Sequence, residues 1–357
     1  MRRIRAGIIG QGRSGRDIHV AALKRDKMAE RFEIAAITDL IPERCLETAA
    51  EFPECKVYGD YSAMLADQSL ELIVNASFSH QHVPISIEAL SSGFHVLSEK
   101  PLAASLAEVD RVYAKAQECG RIFTVFQEAR YDPTFQKVLE LCKSGILGRV
   151  IMARFTRNNA DRRWDWQTLS EMNGGALLNT GSHSLDQALK LFGDSMPEKI
   201  VCVMDRVNSF GDAEDHVKML FSSPGHPTID FEVSSCAPYS PPRFQVYGEC
   251  GGISATPGKV EWRYFSPGDA PVQKLSRQPL ANRSYCSENL DWFENLWQDS
   301  GKRGTAWLGE QLYLNLYEAI LNGAALEISR EEVSRQIAII EECHRQNPQF
   351  SRGQQTK

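Results

Sequence analysis

Residues 4–20, "IRAGIIGQGRSGRDIHV", carry an apolar run that ends in three closely spaced glycines. The run has the length and the isoleucine content of a strand that is buried on both faces. Ordering a glycine loses more conformational entropy than ordering any other residue, so Gly10, Gly12 and Gly15 indicate that something approaches the main chain closely. A Gly-x-Gly-x-x-Gly pattern between a strand and a helix is the fingerprint of dinucleotide binding. We therefore predict that this segment opens a Rossmann domain.

Each glycine has its own role in that fingerprint. Gly10 permits a tight turn, Gly12 lets the main chain approach a pyrophosphate, and Gly15 lets the helix pack closely on the sheet. The phosphates then lie at the helix N-terminus, where free N–H groups and the helix dipole favour negative charge. Asp39 ends the second predicted strand, 24 positions beyond Gly15, where an acid binds the ribose hydroxyls and repels a 2′-phosphate. This predicts NAD rather than NADP, and Arg44 is the nearby cation that could reverse the preference.

Strand and helix predictions alternate through residues 1–126. Apolar segments rich in Ile and Val predict strands at 4–10, 32–39, 70–76, 94–100 and 121–127. Amphipathic stretches predict helices at 42–52, 84–91 and 105–118. This alternation is typical of right-handed βαβ units and a parallel sheet, so we assign residues 1–126 to an NAD(P)-binding Rossmann domain.

The pattern changes in residues 127–357. A helix is predicted near 133–143, and strands of mixed character at 150–157, 199–206, 216–222, 228–234, 244–249 and 259–265. Polar and apolar residues alternate in several of them, which is typical of antiparallel strands with one covered face. Further helices are predicted near 287–297, 308–322 and 329–343. This half is therefore expected to be a second α/β domain.

The composition excludes several classes of partner. The chain has 357 residues, of which 42% are hydrophobic and 24% are charged, and its formal net charge is −6. We expect no nucleic-acid and no membrane partner, because the sequence has neither a clustered basic segment nor an apolar run of about 18 residues. The nine cysteines are scattered without a CxxC pair, which predicts reduced thiols in the cytoplasm and no metal site.

Two stretches carry candidate catalytic residues. "LSEKPLA" (97–103) ends the fifth predicted strand, at the edge where parallel sheets bind ligands. Lys100 would stabilise an alkoxide there, although it also fits a surface lysine at a strand end. In "MNGGALLNTGSHSLDQALKLFG" (172–193), spacings of four and three place Asn179, His183 and Asp186 on one helix face. His183 would act as a general base, although a capping asparagine and a core histidine also fit this pattern.

The motifs "GQGRSG" (10–15), "EKPLA" (99–103) and "GGALLNTGSHSLD" (174–186) occur together in this order. With "SFSHQH" (77–82) and "QEARYDP" (127–133) they make the chain resemble the Gfo/Idh/MocA family of NAD(P)-dependent sugar and cyclitol oxidoreductases. The resemblance implies a Rossmann domain followed by a substrate-binding and oligomerisation α/β domain, with a large, mostly antiparallel, open-faced sheet. Because such a sheet face commonly forms a subunit interface, we expect a homodimer or homotetramer.

The resemblance also implies a Lys–Asp–His active site between the domains. By position the lysine is Lys100 and the histidine is His183, whereas the aspartate position holds Asn179. An asparagine orients a hydroxyl but holds neither a proton nor a charge. The expected mechanism has His183 remove the hydroxyl proton, Lys100 stabilise the alkoxide and Asn179 orient it, while the cofactor takes the hydride.

Further residues are assigned to the two ligands. Besides the three glycines, the expected cofactor contacts are Arg13, Ser14, Asp39, Ser77, His82, Glu99 and Lys100. Tryptophan faces suit a sugar ring, and arginine suits hydroxyl or carboxylate groups. The expected substrate contacts are Lys100, Arg130, Trp164, Trp166, Asn179 and His183.

Two other functions would use the same motifs. Transient oxidation followed by elimination would make a redox-neutral, NAD-dependent glycosidase or lyase, and Asn179 slightly favours this outcome. A non-catalytic dinucleotide sensor is the third hypothesis, but a sensor has no need of proton-transfer groups such as Lys100 and His183.

Overall fold

Two sheets organise the structure, which is a computed structural model that describes residues 2–299, 301 and 303–350. The first sheet has six strands and the second has eight. Among the described residues, no helix combines the length and the apolar character that crossing a membrane requires.

The first sheet confirms the predicted Rossmann domain. All its pairings are parallel, and its strand order is β3-β2-β1-β4-β5-β6. The chain changes direction across the sheet between β1 and β4, which is where such folds bind ligands beyond the strand ends. The strands are β1 (Ile4–Ile9), β2 (Phe32–Thr38), β3 (Lys56–Val57), β4 (Leu72–Asn75), β5 (His95–Ser98) and β6 (Phe123–Val125).

Helices connect these strands. The first connection begins with a π-helical segment, Arg13–Val20, before its α-helical turn. Ser105 caps the last helix of this half, because its hydroxyl accepts a hydrogen bond from the N–H of Glu108. The helices are α1 (Ala21–Leu23), α2 (Asp26–Ala29), α3 (Glu43–Glu51), α4 (Tyr61–Leu65), α5 (His82–Ser91) and α6 (Leu106–Glu118).

Helix α7 (Pro133–Lys143) leads into the second sheet, whose order is β14-β13-β12-β11-β7-β10-β9-β8. Only the β7–β10 pairing is parallel among its described pairings, which confirms a mostly antiparallel sheet. Its strands are β7 (Val150–Asn158), β8 (Lys199–Asp205), β9 (His216–Ser222), β10 (Thr228–Ser234), β11 (Phe244–Gly248), β12 (Gly251–Thr256), β13 (Lys259–Tyr264) and β14 (Phe293–Gln298).

The two faces of the second sheet differ. Helices α8 (Ser182–Phe192) and α10 (Arg330–Gln346) pack against one face. The opposite face exposes apolar side chains that alternate along the strands, including Val201, Val203 and Leu220. Alternation of buried and exposed residues follows from the two-residue repeat of a strand.

Helix α9 (Thr305–Asn322) returns the chain to the first sheet. Tyr313 of α9 is fully buried against Phe32 and Phe126, so apolar packing joins the two halves of the molecule. The C-terminal half therefore contributes a helix to the core of the Rossmann domain.

One predicted element is wrong. The helix expected at 287–297 is absent, and Phe293–Gln298 forms the edge strand β14 instead. This strand pairs antiparallel with β13, with Tyr264 opposite Phe293 and Val260 opposite Trp297. Aromatic residues pack well on a pleated surface, so cross-strand pairing overrides the helical spacing of these side chains.

Candidate active site between the two sheets

The glycine loop has the shape that its sequence predicts. Gly10 has a φ of +94°, and a Cβ there would lie 2.3 Å from the carbonyl oxygen of Ala76. A Cβ on Gly15 would lie 1.8 Å from the carbonyl oxygen of Gly10. Both positions therefore exclude a side chain. At Gly12 the atom nearest to an added Cβ is Arg44 Nη1, at the ordinary contact distance of 3.7 Å, and this glycine borders the open cleft.

That open space is suited to a pyrophosphate. Gly12 precedes the helical segment Arg13–Val20, and the first hydrogen bond of that segment runs from Arg16 N to Gly12 O. The N–H groups before this bond belong to the first turn, where anions bind. Gly12, Arg13 and Ser14 all line the cleft, so the chain's own residues fit a dinucleotide at this end.

Asp39 is held against the glycine loop. Its carboxylate accepts hydrogen bonds from the main-chain N–H of Gln11, at 2.6 Å, and of Ile41, at 2.8 Å. The guanidinium of Arg44 lies 3.7 Å from the same carboxylate and is half exposed. The end of β2 therefore presents a fixed negative charge with a cation beside it.

A cleft of ≈1420 Å³ extends from this loop to the second sheet. Residues of both halves line it, and most of the predicted site residues are among them. The predicted residues that line it are Gly10, Gly12, Arg13, Ser14, Asp39, Ser77, His82, Glu99, Lys100, Trp166, Asn179 and His183.

Lys100 bridges the two halves of the molecule. Its Nζ donates a hydrogen bond to the main-chain carbonyl of Asn179 at 3.0 Å and lies 3.5 Å from Asn179 Oδ1. Burial lowers the pKa of Lys100 below its ordinary value, although the charges of Glu99 and Glu128 oppose this effect. The ammonium group is thus held beside Asn179 and is only partly solvated.

Asn179 lies in a π-helical turn, Leu177–Gly181, which immediately precedes α8. Its side-chain amide exchanges hydrogen bonds with that of Gln167, at 3.2 and 3.4 Å. π-helical turns are rare and occur frequently at functional sites. The turn therefore holds Asn179 beside Lys100 in a fixed orientation.

His183 lies in the first turn of α8 and is 8% exposed. Burial, followed by the charges of Lys100 and Arg157, lowers its pKa well below the ordinary value. Its Nδ1 has no hydrogen-bond partner among the described residues. The imidazole is therefore neutral at neutral pH and able to accept a proton.

The sequence analysis missed several ionisable residues of the site, among them Glu128. It lines the cleft, is 5% exposed, and its Oε1 lies 3.7 Å from His183 Nε2. Burial, reinforced by the charge of Glu99, raises the pKa of Glu128 to about 8. The segment "QEARYDP" had been singled out, but nothing in its composition showed which side chain enters the cleft.

Glu99 belongs to a buried polar chain. Its Oε1 lies 3.2 Å from Nε2 of His19, whose Nδ1 lies 2.9 Å from the hydroxyl of Tyr313. Burial alone would raise the pKa of Glu99, but the His19 contact and the charge of Lys100 lower it below its ordinary value. Glu99 thus places a negative charge directly before Lys100.

Ser77 and His82 shape the loop after β4. The ring nitrogens of His82 lie 2.6 Å from the carbonyl oxygen of Pro101 and 3.2 Å from that of Ser77. The hydroxyl of Ser77 donates to Asn75 Oδ1 at 2.6 Å. These contacts tie the loop to the segment that carries Lys100.

Two expected groups of the site lie elsewhere. The guanidinium of Arg130 forms a bidentate pair with Asp186, at 2.6 and 3.1 Å, and also binds Glu332 at 2.8 Å. A buried cation needs such partners, and Arg130 does not line the cleft, so the expectation that Arg130 contacts the substrate is wrong. Asp186, which shares a helix face with Asn179 and His183, is the partner of this cation.

Of the two tryptophans expected to contact the substrate, only one lines the cleft. Trp164 is 77% exposed, packs edge-on against Phe210 and lies outside the cleft, which corrects its predicted role. Trp166 lines the cleft and packs against Phe78, with the ring centres 5.0 Å apart. The two tryptophans are two positions apart, yet only Trp166 is partly buried in the cleft, which composition alone does not reveal.

The comparisons with known proteins agree with the observed fold. Residues 4–127 match a model described as an oxidoreductase family with an NAD-binding Rossmann fold, and residues 135–254 match one described as the GFO/IDH/MocA C-terminal domain. Together the two models cover more than half of the chain.

Named relatives include two inositol dehydrogenases. The scyllo-inositol 2-dehydrogenase (NADP(+)) IolW of Bacillus subtilis is 25% identical over 95% of this chain and 92% of its own length. The myo-inositol 2-dehydrogenase of Thermotoga maritima is 29% identical over 71% of this chain and 75% of its own length. Among solved structures, a putative oxidoreductase, yvaA of Bacillus subtilis, has a TM-score of 0.80 at 20% identity, covering 98% of this chain and 97% of that one, which shows a shared fold.

Proposed function

Because the chain belongs to the Gfo/Idh/MocA oxidoreductase family, we propose that it transfers a hydride between a hydroxyl-bearing carbon of a sugar, cyclitol or related polyol and NAD. The observation that carries this proposal is the meeting of Lys100, Asn179 and His183 in the cleft that the glycine loop borders. Relatives named as inositol dehydrogenases support a polyol or cyclitol as the substrate class.

Three side chains divide the work on the substrate. His183 accepts the hydroxyl proton, since its imidazole is neutral and has an unpartnered nitrogen. Lys100 stabilises the developing alkoxide with a positioned positive charge. Asn179 orients the hydroxyl through its amide. When bound, the nicotinamide cofactor supplies the redox capacity by taking up the hydride.

NAD is the proposed cofactor. The Asp39 carboxylate is fixed by two main-chain N–H groups at the position where a 2′-phosphate would bring further negative charge. Arg44 is held near this carboxylate and partly balances it. The preference for NAD therefore depends on the charge of Asp39.

The substrate end of the cleft combines an aromatic face with polar groups. Trp166 offers a flat surface for a ring, and Arg163 and Asp165 line the same cleft while pairing with each other. This mixture suits a small hydroxylated ring better than an apolar ligand.

We also propose that the protein acts in the cytoplasm as a homodimer or homotetramer. The exposed apolar face of the second sheet supports self-association, since Val201, Val203 and Leu220 would otherwise remain in water. All nine cysteines are free thiols, as expected of a reducing compartment. Light scattering on purified protein measures the subunit number, and a monomer at all concentrations would contradict the assembly.

The test of the function is nicotinamide absorbance with a panel of polyols, aldoses and glycosides. The expected result is net NADH formation with at least one cyclitol or sugar. Consumption of a glycoside without net NADH would instead identify the redox-neutral reaction. Cofactor binding without turnover of any member of the panel would contradict an enzymatic role.

A further inference from the structure

The proposed mechanism leaves the carboxyl group of Glu128 unused. Glu128 begins the short helix Glu128–Tyr131, which joins β6 to α7. Its Oε1 lies 3.7 Å from His183 Nε2, and its Oε2 has no hydrogen-bond partner among the described residues. Because a buried ionisable group without such partners is destabilising, the position calls for a reason beyond packing.

His183 by itself is a poor site on which to hold a proton. Burial and the charges of Lys100, Arg157 and Arg243 all disfavour the imidazolium form. Among the described residues, Glu128 is the acidic side chain at ion-pair distance from the ring. A proton that reaches His183 therefore gains from moving on to a carboxylate.

The surroundings of Glu128 have the opposite effect and favour its protonated form. Burial and the negative charge of Glu99 favour the neutral carboxyl form and raise the pKa of Glu128 to about 8, although Lys100 opposes the effect. A proton shared by the two side chains is consequently held on Glu128 rather than on His183 at neutral pH.

We propose that Glu128 is the proton acceptor of this active site, receiving through His183 the proton that the substrate hydroxyl loses. The proposal rests on the proposed function. In it, Glu128 supplies the ionisable carboxyl group that an aspartate at position 179 would supply and that Asn179 lacks. On oxidation the O–H bond breaks and its electron pair forms the second bond of the C=O group, while the hydride leaves carbon for the cofactor. The proton passes to the imidazole, and the imidazolium releases one from Nε2 to the Glu128 carboxylate. Glu128 acts through His183 and not on the substrate.

The charged groups around Glu128 come from several elements. Glu99 and Lys100 follow β5, Arg157 lies on β7 and His183 lies on α8. Helix α9 also packs on this short helix, but its buried titratable groups face other partners, with Tyr313 at His19 and Glu310 at Arg25.

We therefore expect polyol oxidation to rise with pH through about 8, as Glu128 ionises, and carbonyl reduction to fall over the same range.

The first test compares Glu128→Gln with Glu171→Gln, an exposed glutamate outside the cleft. Glu128→Gln is expected to lower kcat for polyol oxidation about 10²-fold and to abolish the inflection near pH 8. The KM for the polyol and the Kd for NAD should change little, and Glu171→Gln should keep the wild-type profile. Wild-type kcat and an unchanged inflection in Glu128→Gln would overturn the proposal.

A second variant tests whether a carboxylate at position 179 can replace the one at position 128 as proton acceptor. Adding Asn179→Asp to Glu128→Gln restores a carboxylate beside Lys100. The double variant is expected to be about tenfold faster than Glu128→Gln, with its inflection at lower pH. A double variant no faster than the single one would overturn the assignment of the missing carboxyl group to Glu128.

The last measurement does not depend on turnover. In the protein without substrate, the NMR signals of the His183 ring should shift near pH 8 as the neighbouring Glu128 ionises. Glu128→Gln should remove this titration and Glu171→Gln should keep it. The same titration in Glu128→Gln would overturn the proton sharing. If the wild type oxidises no member of the panel of polyols, aldoses and glycosides, the proposed function fails, while this titration still decides whether the two side chains share a proton.

Discussion

The Nζ of Lys100 donates a hydrogen bond to the main-chain carbonyl of Asn179 at 3.0 Å, so a group carried by the first sheet is positioned by the backbone before α8. Lys100 and its partner belong to different halves of the molecule, and both line the cleft between them. Main-chain atoms move little when side chains are replaced, so this position of the ammonium group should survive changes elsewhere in the site.

Replacement of Lys100 should therefore affect chemistry more than binding. Lys100→Met keeps the length of the side chain but removes the charge that stabilises an alkoxide, and we expect kcat to fall about 10²-fold or more. Lys143→Met, an exposed position at the end of α7, is the matched control. Steady-state kinetics with a polyol and NAD measure both variants. A wild-type kcat in Lys100→Met would remove the lysine from the mechanism.

His183→Ala should lower kcat by about 10²-fold or more, because no side chain then accepts the hydroxyl proton directly. The glycine loop does not depend on this residue, so the Kd for NAD, measured by calorimetry, should remain close to that of the wild type. Unchanged turnover in a folded variant would show that His183 is not the base.

The glycine loop offers a matched pair of substitutions. A Cβ at position 15 would overlap the carbonyl oxygen of Gly10 at 1.8 Å, so Gly15→Ala should destabilise the protein by about 1–3 kcal/mol or more. At Gly12 the nearest atom is 3.7 Å away and φ is −72°, so Gly12→Ala should fold normally. It would instead occupy the space of the pyrophosphate and weaken NAD binding. Thermal unfolding and calorimetry separate the two effects, and equal melting temperatures would contradict the predicted difference.

Much of the fold could be predicted because its signals are local. The glycine fingerprint and the apolar runs around Ile4–Ile9 and Phe32–Thr38 are short-range features, and the structure confirms the parallel sheet that they predict. The strand Phe293–Gln298 was missed because its partner β13 is separated from it by a long exposed segment. Such pairing depends on distant residues, and local spacing cannot show it.

The site residues, too, could be predicted only where the signal is local. Lys100 and His183 follow recognisable motifs, and both line the cleft. Arg130 and Glu128 lie in one short segment, yet one is buried in an ion-pair network and the other faces the cleft. That difference arises from where Asp186 and His183 lie on α8, which becomes visible only after the two halves are packed together.

The cofactor preference should respond to the charge at the end of β2. Asp39→Asn keeps an oxygen that accepts a main-chain hydrogen bond but removes the charge that repels a 2′-phosphate and engages Arg44. We expect the ratio of kcat/KM for NADP to that for NAD to rise about tenfold. The double variant with Arg44→Gln should lose this gain, since the freed guanidinium is what binds the phosphate. An unchanged ratio in Asp39→Asn would contradict the role of its charge.

The buried carboxyl of Glu128 should also leave a signature in the pH dependence of stability. Its pKa is raised from 4.5 to about 8 in the folded protein, so between these values the folded state binds a proton that the unfolded state does not bind. Stability contributed by this group is therefore full at low pH and is lost, at up to about 1.4 kcal/mol per pH unit, as the pH rises towards 8.

Glu128→Gln removes that loss, because its amide does not titrate. Measured by denaturant unfolding, the free energy of unfolding of Glu128→Gln minus that of the wild type should increase from about pH 4.5 to about pH 8 and then level off. Glu171→Gln, which alters an exposed side chain, should show no such increase over this window. A difference that stays constant with pH would mean that Glu128 titrates as an ordinary carboxylate, and the high proton affinity on which its role depends would be absent.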